Sequence, residues 1–220
     1  MGDTQALISL DIGGTLGNAQ GPGLAARLAA ASPLGPREAR RMMRDVLHTA
    51  PEITDTVVDQ VCNALHIEPS DFPWDLPVAP LVLFPGTVDT LRALNSMASV
   101  VTLSNVTCIE ADPERLLKLL SPWVSAHFPS CRTGYAKPDR RAFETVAAEC
   151  GVEPSHIVHV GDDWECDIQG ATAAGLSAVW ISHSRTVPDA KLVVDQHIRI
   201  ANDLTDAVAH VRHHLTRRNP

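Results

Sequence analysis

Short apolar runs that break at polar residues recur along the chain, separated by stretches whose apolar positions repeat every three or four residues. Leu7-Ile8-Ser9-Leu10 is the first run; it breaks at Asp11, and Ile12-Gly13-Gly14-Thr15 follows as a turn. Val100-Val101-Thr102-Leu103 breaks at Ser104-Asn105, and Ile157-Val158-His159-Val160 breaks at Gly161-Asp162-Asp163. Ala178-Val179-Trp180-Ile181 is a further run of the same kind. Runs this short, bounded by turn residues, predict buried strands. Helices are predicted from about Thr87 to Met97, through Leu116 to Leu120, and after Pro138 with Phe143, Val146 and Ala147 on one side. Two more are predicted from Ile168 to Ala174 and over residues 203–215. Strands alternating with helices predict an α/β fold with a doubly wound, mostly parallel sheet.

One stretch departs from that alternation. Gly17 to Gly23 reads as a glycine-rich loop, and residues 24–67 carry only helical patterns. Leu24, Leu28 and Ala31 share a face, and Pro36 opens a helix through Met42, Met43, Val46 and Leu47. Thr54 N-caps a third helix with Val57, Val58, Val61, Cys62 and Leu65 inward. Pro69, Pro73, Pro77, Pro80 and Pro85 then mark a return linker over residues 68–85. The expected organisation is a core of residues 1–16 and 85–220, with a helical cap and linker at 17–84.

Composition narrows the classes of partner. A net charge of -8 on 220 residues argues against nucleic acid or an anionic membrane as the main partner. Cys62, Cys108, Cys131, Cys150 and Cys166 are odd in number and lack metal-type spacing, which suits a reducing cytoplasm. Asp3 and Asp11 interrupt any signal-peptide pattern, and no apolar stretch reaches membrane-spanning length. A cytoplasmic protein, monomeric or homodimeric, is the expectation.

In an open parallel sheet, ligands bind outside the carboxyl ends of the strands. The polar groups delivered there are Asp11, then Ser104 and Asn105, then Asp162 and Asp163, with Lys137-Pro138 between the second and third sets. One such ending makes a turn or a helix cap; several converging on one edge make a constellation. With these residues in this order, the chain resembles the haloacid dehalogenase superfamily of hydrolases. Asp11-Ile12-Gly13-Gly14-Thr15 is similar to the first motif, whose phosphatase form is Asp-X-Asp-Gly-Thr. Leu103-Ser104-Asn105 is similar to the second motif, Lys137-Pro138 to the third, and Gly161-Asp162-Asp163 with Asp167 to the fourth. Pro85-Gly86 before a helix through Leu91 and Leu94 matches the family's re-entry into the core.

The resemblance implies a magnesium-dependent phosphohydrolase acting on a small phosphorylated metabolite. Asp11 would attack phosphorus and form an aspartyl-phosphate. Magnesium would be held by Asp11, Asp162 and the backbone carbonyl of Gly13, with Asp167 supporting it through water or the outer shell. Ser104 and Lys137 would hold phosphoryl oxygens, and Gly14, Thr15, Asn105, Asn18 and Arg41 would contact substrate. Family phosphatases carry a second Asp at position 13, which protonates the leaving alkoxide and activates water. Gly13 has no such group.

Two other readings follow from that gap. Members that displace halide from 2-haloacids also lack the second Asp, need no metal and use a cap arginine, where Arg40 and Arg41 stand here. A catalytically degenerate descendant would bind a phosphorylated ligand without turning it over. The carbon–phosphorus branch needs a cap lysine, and residues 17–84 contain none. Of the remaining side chains, Arg40, Arg41 and Arg44 form a solvated helix face from which Arg41 is assigned to substrate. Asp163 reads as a helix cap. His48 is a surrogate acid or a packing residue, Met42 and Met43 are core, and His210, His213 and His214 are surface.

Overall fold

The computed structural model describes residues 6–75, 78–187 and 197–217. Pro77 of the proline-rich linker lies outside them. The central strand is β1 (Leu7–Leu10), followed by a short β2 (Gly17–Ala19) and the helices α1 (Leu24–Ala31), α2 (Pro36–Arg44) and α3 (Asp55–Leu65). The chain returns through β3 (Leu81–Leu83) into α4 (Thr87–Asn95), β4 (Ser99–Ser104), α5 (Pro113–Leu120), β5 (Ala126–Pro129), α6 (Ser130–Thr133) and α7 (Arg140–Cys150). It ends with β6 (Ile157–Gly161), α8 (Gly170–Ala173), β7 (Ser177–Ile181), β8 (Ile198–Ala201) and α9 (Leu204–Arg217).

The main sheet has the order β5-β4-β1-β6-β7-β8, and each neighbouring pair runs parallel. Leu10 of β1 stands level with Thr102 of β4 and Val160 of β6. The residues that follow these strands therefore emerge together at one edge. Alternation along the strands divides the core in two. Leu7, Val101, Leu103 and Ile157 face Phe143, Val146 and Ala147 of α7. Ile8, Leu10, Val158 and Val160 face Leu91 and Leu94 of α4 and Ala207 and Val211 of α9. Strands buried on both faces read as near-continuous apolar runs, which is why the sequence shows them so plainly.

Helices α1 to α3 bury a cluster of their own, including Leu24, Leu28, Met43, Leu47, Val58, Leu65 and Phe72. The local signals predicted for them hold: Pro36 takes the first turn of α2, and the Thr54 hydroxyl accepts the Val57 amide. The Gly17–Gly23 stretch and the described part of the linker are more ordered than expected. Gly17 to Ala19 pairs antiparallel with Leu81 to Leu83, so the chain leaves and re-enters the core through one two-stranded stem. Gly17 is required there, because a Cβ would stand 2.2 Å from the Val82 carbonyl oxygen.

Other expectations are corrected. Strands β5 and β8 were not foreseen; each is four residues long with two residues only partly buried, too short for a clear period. The segment before α8 starts earlier, as a π-helical turn over Trp164–Gln169, because Asp163 caps it by accepting the Cys166 amide. Met42 is exposed and Met43 alone of the pair is buried. His214 is buried rather than on the surface, because Ala207, Val211 and His214 fall at helical spacing on the inward face of α9.

Candidate active site

Asp11 follows β1 directly, and its amide donates to the Val160 carbonyl at 2.9 Å, extending the β1–β6 ladder by one residue. The next turn is tight: Leu16 donates to the Ile12 carbonyl and Gly14 to the Gly17 carbonyl. Gly14 has φ +76°, and a Cβ on it would lie 2.6 Å from the Asp162 carboxyl. A glycine is needed on both counts, conformation and clearance. Gly13 differs, since nothing lies within 4 Å of where its Cβ would be.

Lys137 comes from the loop before α7 and is buried, with 2 % of its surface exposed. Its Nζ donates to Asp11 Oδ1 at 2.7 Å and to Asp167 Oδ1 at 2.6 Å. Asn105 holds the backbone of this lysine at both ends. The Asn105 side-chain nitrogen donates to the Lys137 carbonyl at 2.7 Å, and its oxygen accepts the Lys137 amide at 2.7 Å. Burial disfavours the ammonium, but Asp11 and Asp167 overcome it and raise the pKa of Lys137. Burial also raises the Asp11 carboxyl, only partly opposed by Lys137. Asp167 goes the other way: despite burial, Lys137 and His159 hold it below the usual carboxylate range.

His159 was not singled out from the sequence. Its Nε2 lies 3.3 Å from Asp167 Oδ1 and its Nδ1 lies 3.0 Å from the Ser9 hydroxyl, all fully buried. Burial lowers its pKa. A neutral ring must then donate from Nε2 to the carboxylate and accept from Ser9 at Nδ1. A polar residue inside a strand otherwise made of Ile and Val was the available signal. Arg185 was also missed, and the loop after β7 carries no pattern that marks it. It donates to the Asp162 carbonyl at 2.7 Å and approaches Asp162 Oδ2 at 3.3 Å. On the same loop, His183 Nε2 donates to the Gly14 carbonyl at 2.7 Å.

Asp11, Asp162 and Asp167 bring ligand oxygens within 4.8 Å of one another. Three carboxylates are hard oxygen donors, the set that suits magnesium. The glycine at 14 makes the room that Asp162 needs to join them, so these residues fit such an ion. Ser104 ends β4, half-buried. Asn18 Oδ1 accepts the Gly14 amide at 3.0 Å, and Thr15 is buried beneath that turn.

The arginines of α2 separate in the structure. Arg40 and Arg41 are exposed. Arg44 reaches the core, donating to Glu165 at 2.9 Å. His48 stands beside it, and burial with Arg44 pushes its pKa down to about 4.

A family model for haloacid dehalogenase-like hydrolases matches residues 7–175, from β1 through α8. The chain belongs to the haloacid dehalogenase-like hydrolases. Within this family it is similar to a glyceraldehyde 3-phosphate phosphatase of Methanothermobacter thermautotrophicus, with 33% identity over 105 residues. That match covers 47% of this chain and 46% of the relative. A phosphoserine phosphatase of Thermus thermophilus is 32% identical over 85 residues, covering 37% of this chain and 34% of the relative. The chain thus matches a third to a half of the length of these curated relatives. A 2-haloacid dehalogenase from Pseudomonas syringae pv. tomato shares the fold, with TM-score 0.62, 20% identity and coverage of 97% and 99% of the two chains. The core of this family member is the six-stranded parallel sheet, and no helix of the described residues is long and apolar enough to cross a membrane.

Proposed function

We propose that this hydrolase is a magnesium-dependent phosphatase of a small phosphorylated metabolite, with Asp11 as nucleophile and residues 17–84 as its cap. The observation that carries the reading is the buried Asp11–Lys137–Asp167 array beside Asp162. A lysine fixed between two carboxylates supplies a cation for phosphoryl oxygens while the adjoining carboxylates supply hard ligands. The curated relatives named above are phosphatases, which supports the same chemistry. Asp11, Asp162 and the Gly13 carbonyl would hold magnesium, with Asp167 behind them. The ion, when bound, offsets the charge between the phosphate dianion and the carboxylates.

Asp11 attacks phosphorus and the ester oxygen leaves as an alkoxide, giving an aspartyl-phosphate that water then cleaves to restore Asp11 and release phosphate. Lys137 and Ser104 hold the phosphoryl oxygens as charge shifts onto them. His159 and Asn105 act at one remove, fixing Asp167 and the Lys137 backbone. Position 13 gives the leaving oxygen no proton, so esters of acidic alcohols are favoured substrates.

The test is turnover of para-nitrophenyl phosphate with and without magnesium, beside Asp11→Asn. Metal-dependent turnover that vanishes in the variant is expected. Halide release from 2-chloropropionate without metal would instead establish the dehalogenase chemistry. Phosphate binding without any turnover would establish a binding protein.

A further inference from the structure

A cleft of about 580 Å³ opens between the Gly14 turn and the first turn of α9. That volume falls within the range of small-molecule pockets. It shares Gly14 and Asp162 with the reaction centre, and its other walls include Thr15, Asn18, Phe84, His183 and Asp203. Gly13, exposed and with open space around its missing Cβ, puts no side chain at the rim beside the reaction centre.

The polar groups of this cleft match hydroxyls. The Thr15 hydroxyl is buried, on a residue 1% exposed, and has no hydrogen-bond partner among the described residues. A buried hydroxyl left so bears a desolvation cost, and Thr15 is one of the residues that line the cleft. Asn18 uses its oxygen on the Gly14 amide, which leaves its NH2 as a donor. His183 uses Nε2 on the Gly14 carbonyl, which leaves Nδ1 as an acceptor. Donors and an acceptor side by side suit groups that both give and take hydrogen bonds, and Phe84 adds an apolar wall.

The charge of the cleft is as informative. Its lining contains Asp162 and Asp203 and neither lysine nor arginine. Arg185 approaches Asp162 from outside and offsets that charge. Discrimination against a second anion therefore falls to Asp203, on a chain that is already at -8.

We propose that this cleft receives the leaving group of the phosphate ester and selects neutral, hydroxylated alcohols over those carrying a carboxylate or second phosphate. The assignment rests on the phosphatase reading. It is tested by the ratio of kcat/KM for glycerol phosphate to that for the same three-carbon skeleton bearing a carboxylate. Asp203→Asn removes the charge while keeping an N-cap acceptor for the Asp206 amide, which Asp203 now accepts at 2.9 Å. Thr205→Lys places a cation on an exposed position of the same wall.

The wild type is expected to prefer the neutral ester. The ratio should fall roughly two- to fivefold in Asp203→Asn, the scale of one exposed charge, and further in Thr205→Lys. Turnover with a ratio that neither variant moves overturns the subsite alone. If the wild type hydrolyses para-nitrophenyl phosphate but neither three-carbon ester, the subsite alone is overturned; if it hydrolyses none of the three, the phosphatase reading falls and the subsite with it.

Discussion

On the phosphatase reading, a carboxylate placed at position 13 supplies the one catalytic part the proposed site lacks. In Gly13→Asp the new side chain meets nothing within 4 Å of its Cβ, and the position is exposed. The substitution should fold. General acid–base help is worth roughly 10²- to 10⁴-fold, or about 2.7 to 5.4 kcal/mol at 1.36 kcal/mol per tenfold. Against this, a new negative charge joins Asp11, Asp162 and Asp167, where burial and like charge already raise the Asp11 carboxyl. Setting that penalty at about one pKa unit, or 1.36 kcal/mol, leaves a net gain of about 10- to 1,000-fold. The gain should appear in kcat/KM for an alkyl phosphate, while para-nitrophenyl phosphate, whose leaving group needs no proton, should show only the penalty, a fall of about tenfold at most. Gly14→Ala is the contrasting control: its Cβ would lie 2.6 Å from the Asp162 carboxyl, so it should lose metal-dependent activity. The reasoning is refuted if Gly13→Asp keeps its thermal midpoint and still turns over para-nitrophenyl phosphate within about tenfold of the wild type yet gains nothing on the alkyl ester.

Three further outcomes are expected. Lys137→Met leaves Asp11 and Asp167 without their shared cation; it should abolish turnover and cost about 3–5 kcal/mol in urea denaturation, and a loss of activity alone would count against the structural half of that role. Glu110→Ala removes the acceptor of the Leu24 amide at the N-terminus of α1 and the partner of the Thr107 hydroxyl. A cost of about 1 kcal/mol and faster hydrogen exchange at residues 24–28 should follow, and unchanged exchange there would refute the cap. His48, ordinarily near 6.5, is held down to about 4 by burial and Arg44; the native state therefore resists a proton that the unfolded chain accepts. Its contribution is complete above pH 6.5 and is lost as pH falls toward 4, up to about 3 kcal/mol. His48→Leu should flatten the stability profile in that window, and a profile parallel to the wild type would show that another group titrates there.

The residues at the strand ends were legible because each belongs to a short local pattern. A buried strand with apolar residues on both faces announces itself, and Asp11, Ser104 and Asp162 stand where such runs stop. Thr54, Pro36 and Asp163 were legible for a similar reason, since a helix cap acts within three residues. The stem strands Gly17–Ala19 and Leu81–Leu83 were not, because three residues hold too little of a period and each gains its hydrogen bonds from a partner far along the chain. His214 failed differently: a polar residue on a helix reads as surface until the helix is docked, and docking turned it inward.

By itself the sequence determined which residues end β1, β4 and β6, that helical patterns follow the first of them, and that position 13 carries no proton donor. Those are properties of neighbours within a few residues, where strand alternation and helical spacing act. Only the tertiary structure decided what those residues meet. Lys137 touches Asp11 and Asp167 from 126 and 30 positions away. Arg44, rather than Arg41, bridges to Glu165 across 121. Contacts at such separations depend on strand order and helix docking, which no local period encodes.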